Sequence, residues 1–415
     1  MSVELGHTRG PQPRAGAQSR GTGAQHRRGC RTGLQKFCLV ASAVLVFGGV
    51  VAATGCGASS EPTTAKTRAT TPTTRATTTT TTLSLEQILA RRDASYRPLK
   101  GIYLTAYSAA SPTKLAGLVK IADETEINAF VIDVKDNSGY VIYNSGAPLA
   151  KSLGLVKPQI KDIDGLIAKL VRHDITPIAR IVCFQDSALA KKRPDLAVKS
   201  KKTGGSFLDS SKAMYTNPYS REVWEYLVQV AEDAAKHGFR EIQFDYVRFP
   251  SGSVADAVYP GGDTPKEDAI AGFLAFARPR LEKLGVWVSA DVFGIVLQVK
   301  NDGGIGQKIE KVAANVDIVC PMIYPSHYAK GSYGFANPNA NPHDLMSLAL
   351  KDMKARLTGT GARGRPWLQD FTLGKPAYGV TQVKAQIRAA KEQGINEWIL
   401  WNASNKYTVG ALGPD

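Results

Sequence analysis

Cysteine is scarce in this 415-residue chain: there are five, and three of them (Cys30, Cys38, Cys56) precede residue 57. Cys183 and Cys320 lie in the apolar runs RIVCF and DIVCPM, where a thiol behaves as a small buried hydrophobe. Two cysteines build no disulfide framework, and none has zinc-ligand spacing. No G-x-G-x-x-G follows the first strand-like run, which argues against a dinucleotide fold. The six histidines do not line strand ends, and His327 and His343 read as surface or capping groups. A metal would need an all-oxygen site, so no metal or other cofactor is expected. A clustered basic stripe is also missing. Residues 1–84 hold ten of the 52 Lys/Arg against two acidic residues, which is half of the net charge of +16. The other 42 basic and 34 acidic residues are dispersed, which argues against a nucleic-acid partner.

The chain does contain an address and a stalk. Basic residues up to Lys36 precede the uncharged apolar run Phe37–Ala53, and Thr54-Gly55-Cys56 follow. A basic segment, an apolar segment and small residues form an export signal. Cys56 stands where a bacterial lipobox places its lipidated cysteine, and an uncleaved anchor is the alternative, since such a run just spans a bilayer. The expected location is outside the cytoplasm, secreted or held on the outer membrane face. Residues 61–84 are a Thr/Pro run with little apolar surface to bury, which stays extended. The expected organisation is an export segment or anchor over 1–56, a disordered Thr-rich linker over 57–95 and a folded domain over 96–415.

From Pro98 onward, β-branched and aromatic runs alternate with amphipathic helical patterns. The expected strands are 101–107, 129–135, 176–183, 241–247, 286–292, 316–324, 366–371 and 397–401. Eight β-then-α repeats indicate a parallel sheet closed into a single (β/α)8 TIM barrel. Barrel enzymes carry their chemistry at the C-terminal strand ends. EIQFDYVRFPS is the most informative of these ends: Ile242, Phe244 and Tyr246 share one face, and Gln243 and Asp245 the other.

Polar groups at the other ends converge on the same rim. They are Asp133 and Lys135 on strand two, Arg180 on three, Arg248 after four, Asp291 on five, Tyr324 on six, Asp370 on seven and Trp401 on eight. Paired carboxylates with aromatic neighbours suit glycosidic-bond cleavage, which needs one carboxyl as acid and another as nucleophile or base. Asp245 and Asp291 are the candidates for these roles. Asp133, Lys135, Arg180, Arg248, Tyr324, Asp370 and Trp401 are candidates for substrate contact, although Asp133 and Lys135 also suit a mutual ion pair.

GIYLTAY, NAFVIDVKDNSG, FDYVRFPS, VSADVFG, DIVCPMIYPSHY and EWILWNAS together resemble an uncharacterised bacterial family of glycosyl-hydrolase-type TIM-barrel domains, over roughly residues 99–404. The resemblance implies a barrel acting on a polysaccharide or glycan, here one outside the cell. More distantly the pattern is similar to the α-amylase group, which has a nucleophilic Asp on strand four, an acid Glu on five and a stabilising Asp on seven. Asp245, Asp291 and Asp370 match those places, with Asp for Glu on strand five and Gln243 where amylases carry Arg. The shorter strand-five acid leaves a second expectation open, a non-catalytic glycan-binding module on the same scaffold. A metal-dependent deacetylase is a third.

Overall fold

The computed structural model describes residues 83–414. Eight strands form the barrel: β1 Lys100–Leu104, β2 Ala129–Lys135, β3 Thr176–Val182, β4 Glu241–Asp245, β5 Trp287–Phe293, β6 Ile318–Ile323, β7 Trp367–Gln369 and β8 Trp398–Trp401. Each pairs in parallel with the next, and β8 pairs with β1 (Gly101 opposite Ile399), so the sheet closes.

Helices on the outside cover the apolar side of each strand. The helix Arg221–Lys236 is typical: the Ser220 side chain caps it by accepting from the Val223 N–H, and Val223, Leu227, Val230 and Ala234 are buried. It ends at Gly238, whose φ of 100° suits a residue without Cβ and turns the chain into β4. Ile242 and Phe244 then face outward into the core between barrel and helices, where the Phe244 ring meets Phe273 edge-on. A second apolar cluster (Tyr103, Val131, Ile178, Ile318, Cys320, Trp367, Ile399) belongs to the opposite strand faces, inside the barrel.

Three expectations need correction. The linker assigned to 57–95 overlaps an ordered helix, α1 Leu85–Ala94, closed by a capping box of Ser84 and Gln87. This helix packs at the N-terminal end of the barrel, where Arg92 reaches Asp317 at 3.3 Å. The strand expected over 241–247 stops at Asp245, because Tyr246 takes a left-handed φ of 50°. The short strands Val141–Tyr143 and Val156–Ile160, unforeseen in the sequence, extend the sheet beyond β2. The expected export segment, Cys56 and most of the expected linker lie outside the described residues. Among the described residues, no helix is long and apolar enough to cross a membrane.

Candidate active site

Inward-facing positions divide the barrel interior into polar layers. At the N-terminal end Arg365, fully buried, donates to both oxygens of Glu241 at 2.9 Å and to Glu397 at 3.0 Å, while the Ser289 hydroxyl donates to Glu241 at 2.5 Å. One layer up, Gln243 approaches the Cys320 thiol at 3.4 Å. At the C-terminal end Arg180 of β3 stands between two carboxylates. Its Nη1 reaches Asp133 of β2 at 2.5 Å, and its Nε and Nη2 donate to Asp245 of β4 at 2.9 and 2.6 Å. Burial alone would lower the Arg180 pKa, but the two carboxylates outweigh it and hold the guanidinium well above its usual value. Asp133 also accepts from the Tyr103 hydroxyl at 2.6 Å, and burial pushes its pKa up against the pull of Arg180.

Asp245 accepts a third bond, from the Tyr246 N–H at 2.6 Å, made possible by the left-handed turn that ends β4. Three donors, two of them from a guanidinium, are the surroundings of a carboxylate anion. Asp291 on β5 is placed very differently. It is 1% exposed, one oxygen accepts from the Trp367 indole N–H at 2.7 Å, and the other has no hydrogen-bond partner among the described residues. Burial first, and the charge of Asp245 second, raise its pKa well above the ordinary carboxyl value. The two carboxyls at one mouth thus have opposite surroundings, one ringed by N–H donors and the other buried against an indole, the asymmetry that acid and base roles require.

Asp245, Asp291, Arg180 and Arg248 open together onto a cavity of about 360 Å³, with Tyr246, Phe293, Tyr324, His327, Tyr328, Trp367 and Trp401 in its walls. Trp401 stacks on Tyr103 with ring centroids 4.1 Å apart, and the Arg180 guanidinium lies over Trp401 at 5.4 Å. Tyr324 and His327 pack edge-on against Phe371, and burial lowers the His327 pKa. Gly294 is part of the lining, where a Cβ would stand 2.5 Å from the Met322 carbonyl oxygen and from the Tyr328 hydroxyl. A larger cavity, about 560 Å³, lies at the other end, between α1 and the strand starts, beside Tyr96, Trp287 and Arg365. The carboxylates of the mouth do not reach it, so volume is a poorer guide here than the convergence of titratable groups.

Six of the predicted site residues thus meet at one cavity: Asp245, Asp291, Arg180, Arg248, Tyr324 and Trp401. Asp133 stands just behind, through Arg180. Two predicted contacts do not join them. The pairing of β2 with β3 shifts register between Asp133 and Lys135, which turns Lys135 away from the barrel axis. Its ammonium pairs with buried Asp186 at 2.8 Å and donates to the Val182 carbonyl at 2.7 Å, so the expected Asp133–Lys135 pair does not form. Asp370 accepts from the Thr408 N–H at 2.8 Å and the Thr408 hydroxyl at 2.5 Å, which fastens the C-terminal segment to β7. The third carboxylate of the amylase-like trio is therefore a structural anchor outside the cavity lining. His327 is the reverse case, a presumed surface residue that forms part of the wall. Sequence reasoning also passed over Tyr103, Phe293 and Trp367. Strand parity on GIYL and PWLQ is the signal that points Tyr103 and Trp367 inward. Among the described residues, no group of three His, Cys, Asp or Glu could hold a metal ion.

Residues 101–407 match the model of a family described as "putative glycosyl hydrolase domain". No curated protein matches the chain. Among solved structures, a hypothetical protein from Ruminiclostridium thermocellum ATCC 27405 is 40% identical, over 46% of this chain and 97% of the other, with a TM-score of 0.43. The spore cortex-lytic enzyme SleL of Bacillus megaterium QM B1551 is 11% identical over 76% and 74% of the two chains, with a TM-score of 0.46. The α-galactosidase TtGalA of Thermus thermophilus, solved with stachyose, is 14% identical over 80% and 69%, with a TM-score of 0.48.

Proposed function

The chain belongs to the family of that glycosyl hydrolase domain, and from this premise we propose that it cleaves glycosidic bonds in an extracellular or cell-envelope polysaccharide, using Asp245 and Asp291. The observation that carries the proposal is the contrast between these two carboxyls at one aromatic-walled cavity. Asp291, shielded from water and beside the Asp245 charge, retains a proton that it can give to the glycosidic oxygen as the bond breaks. Asp245, surrounded by N–H donors, is the nucleophile at the anomeric carbon or the base that takes a proton from attacking water. Arg180 holds Asp245 in place, while Trp401, Tyr324 and Tyr246 offer ring faces to the sugar. No cofactor is required by this chemistry. In the cell, the export segment and a lipid on Cys56, or an uncleaved anchor, would keep the domain on the outer face of the membrane.

A screen of the full chain against envelope glycans, reading the release of reducing ends, tests the proposal. Asp245→Asn is expected to lower turnover by about a thousandfold or more while far-UV circular dichroism stays unchanged. An Asp245→Asn variant that retained wild-type turnover would remove Asp245 from the reaction. One observation favours a second reading, a glycan-binding module: Arg180 occupies one Asp245 oxygen twice over. Binding without product release, in both wild type and Asp245→Asn, would support that reading instead.

A further inference from the structure

Four cations are buried among the described residues: Lys135, Arg180, Arg248 and Arg365. Three of them have carboxylates. Lys135 pairs with Asp186, Arg180 with Asp133 and Asp245, and Arg365 with Glu241 and Glu397. Arg248 is the fourth, 5% exposed, and it has no ion-pair partner among the described residues. Its Nη1 donates to the Phe249 carbonyl at 3.0 Å and approaches the Ser251 hydroxyl at 3.4 Å. The Tyr215 phenol is a further neutral neighbour. The guanidinium lies over the rings of Tyr246 (4.9 Å) and Phe293 (4.6 Å).

A charge taken out of water without a counter-ion is costly, and neutral acceptors and ring faces offset only part of that cost. The aromatic rings satisfy the flat faces of the guanidinium but not its in-plane N–H edge, which is the edge that grips an oxyanion. Arg248 opens onto the same cavity as Asp245 and Asp291, so a ligand in that cavity can provide the missing negative charge. The carboxylates already there cannot, because Asp245 is committed to Arg180 and Asp291 favours its neutral form.

We propose that the glycan bound at this site is acidic, and that Arg248 reads an anionic oxygen group, a carboxylate or a sulfate or phosphate ester, on the sugar seated in the cavity. The proposal rests on the glycan-active reading above, and it names the substrate class that the cavity selects. Arg248 is a specificity-determining residue in this scheme and takes no part in bond cleavage.

The test pairs each acidic glycan with a neutral counterpart of the same backbone. Oligogalacturonate and hyaluronan fragments are compared with their carboxyl-reduced forms, and sulfated oligosaccharides and phosphorylated glycans with their desulfated and dephosphorylated forms. Binding to the full chain is read by quenching of tryptophan fluorescence, with Trp367 and Trp401 as reporters. At least one acidic glycan should bind tenfold or more tightly than its neutral partner, and the advantage should shrink in 0.5 M NaCl. Arg248→Met should bring the acidic-to-neutral affinity ratio close to one, and Arg248→Lys should keep part of the advantage. The arm that binds separates carboxylates from sulfate and phosphate esters. The wild-type comparison is sufficient even where the variants fold poorly. Equal binding of every acidic and neutral pair, or binding of neutral glycans alone, overturns the proposal. Reducing-end release is measured in parallel. An acidic preference without cleavage would refute the hydrolase reading and leave this one standing, whereas cleavage of neutral glycans only would do the opposite.

Discussion

Replacing Asp291 by Asn changes one atom of a buried side chain and should leave a pH signature in stability. The unfolded chain releases the Asp291 proton near pH 3.9, whereas the folded protein, in which burial and the Asp245 charge raise the pKa, keeps it. A raised carboxyl pKa gives stability that is fully present below the unfolded value and is lost as the pH rises toward the folded one. Each pH unit in that window costs wild type about 1.4 kcal/mol, and Asn, which never ionises, escapes the loss. Asn can still accept the Trp367 N–H, and the cost of burying its amide is the same at every pH. The stability of Asp291→Asn minus that of wild type should therefore rise by about 1.4 kcal/mol for each pH unit above the unfolded value, until the folded pKa is reached. Urea unfolding at pH 5, 6 and 7, with the two-state assumption checked by two probes, measures the difference. A bend in its slope locates the folded pKa. A difference that stays flat across the range would falsify the account of Asp291 as a neutral acid, and with it the proposed proton donor. Turnover should fall as the pH rises through the same bend, because the acid form is then depleted.

Two further outcomes concern the scaffold. Arg365→Met leaves Glu241 and Glu397 buried without their cation and should cost about 3–5 kcal/mol in urea unfolding, and a loss below about 1 kcal/mol would show that the network relaxes into water. Gly294→Ala drives a methyl against the Met322 backbone oxygen and the Tyr328 hydroxyl, so about 1–3 kcal/mol of stability should be lost, and glycan affinity with it, as calorimetric melting and fluorescence titration would show.

Much of this molecule is legible in the sequence because period-two and helical patterns alternate so regularly. Ala129–Lys135 coincides with its expected bounds, and the other seven strands fall within three residues of theirs at every end. Parity then places Asp245, Asp291 and Arg180 inside the barrel, since a strand cannot turn one side chain inward without turning its neighbours outward. The failures occur where that periodicity breaks. A local register shift hides the outward turn of Lys135, and the left-handed Tyr246 brings its ring to the mouth instead of the outer core. Partners distant in sequence are equally invisible. That Asp370 serves Thr408 and that Arg180 holds Asp245 are contacts of the folded chain, with no local pattern to announce them. The helix α1 was obscured by the Thr/Pro run in front of it, although Ser84 and Gln87 are a recognisable capping pair.

The polar filling of the barrel axis has a thermal consequence. Many barrels pack this space with Val, Ile and Leu; here Glu241, Arg365, Gln243, Ser289, Arg180, Asp133 and Asp291 occupy much of it. Exposing polar surface on unfolding lowers the heat-capacity increment, whereas exposing apolar surface raises it. The axis therefore contributes less curvature to the stability profile than an aliphatic filling of the same volume. Its ion pairs also lose less to dehydration as temperature rises. The curvature of the domain's stability profile is then set chiefly by its apolar surface, most of it in the layer between barrel and helices.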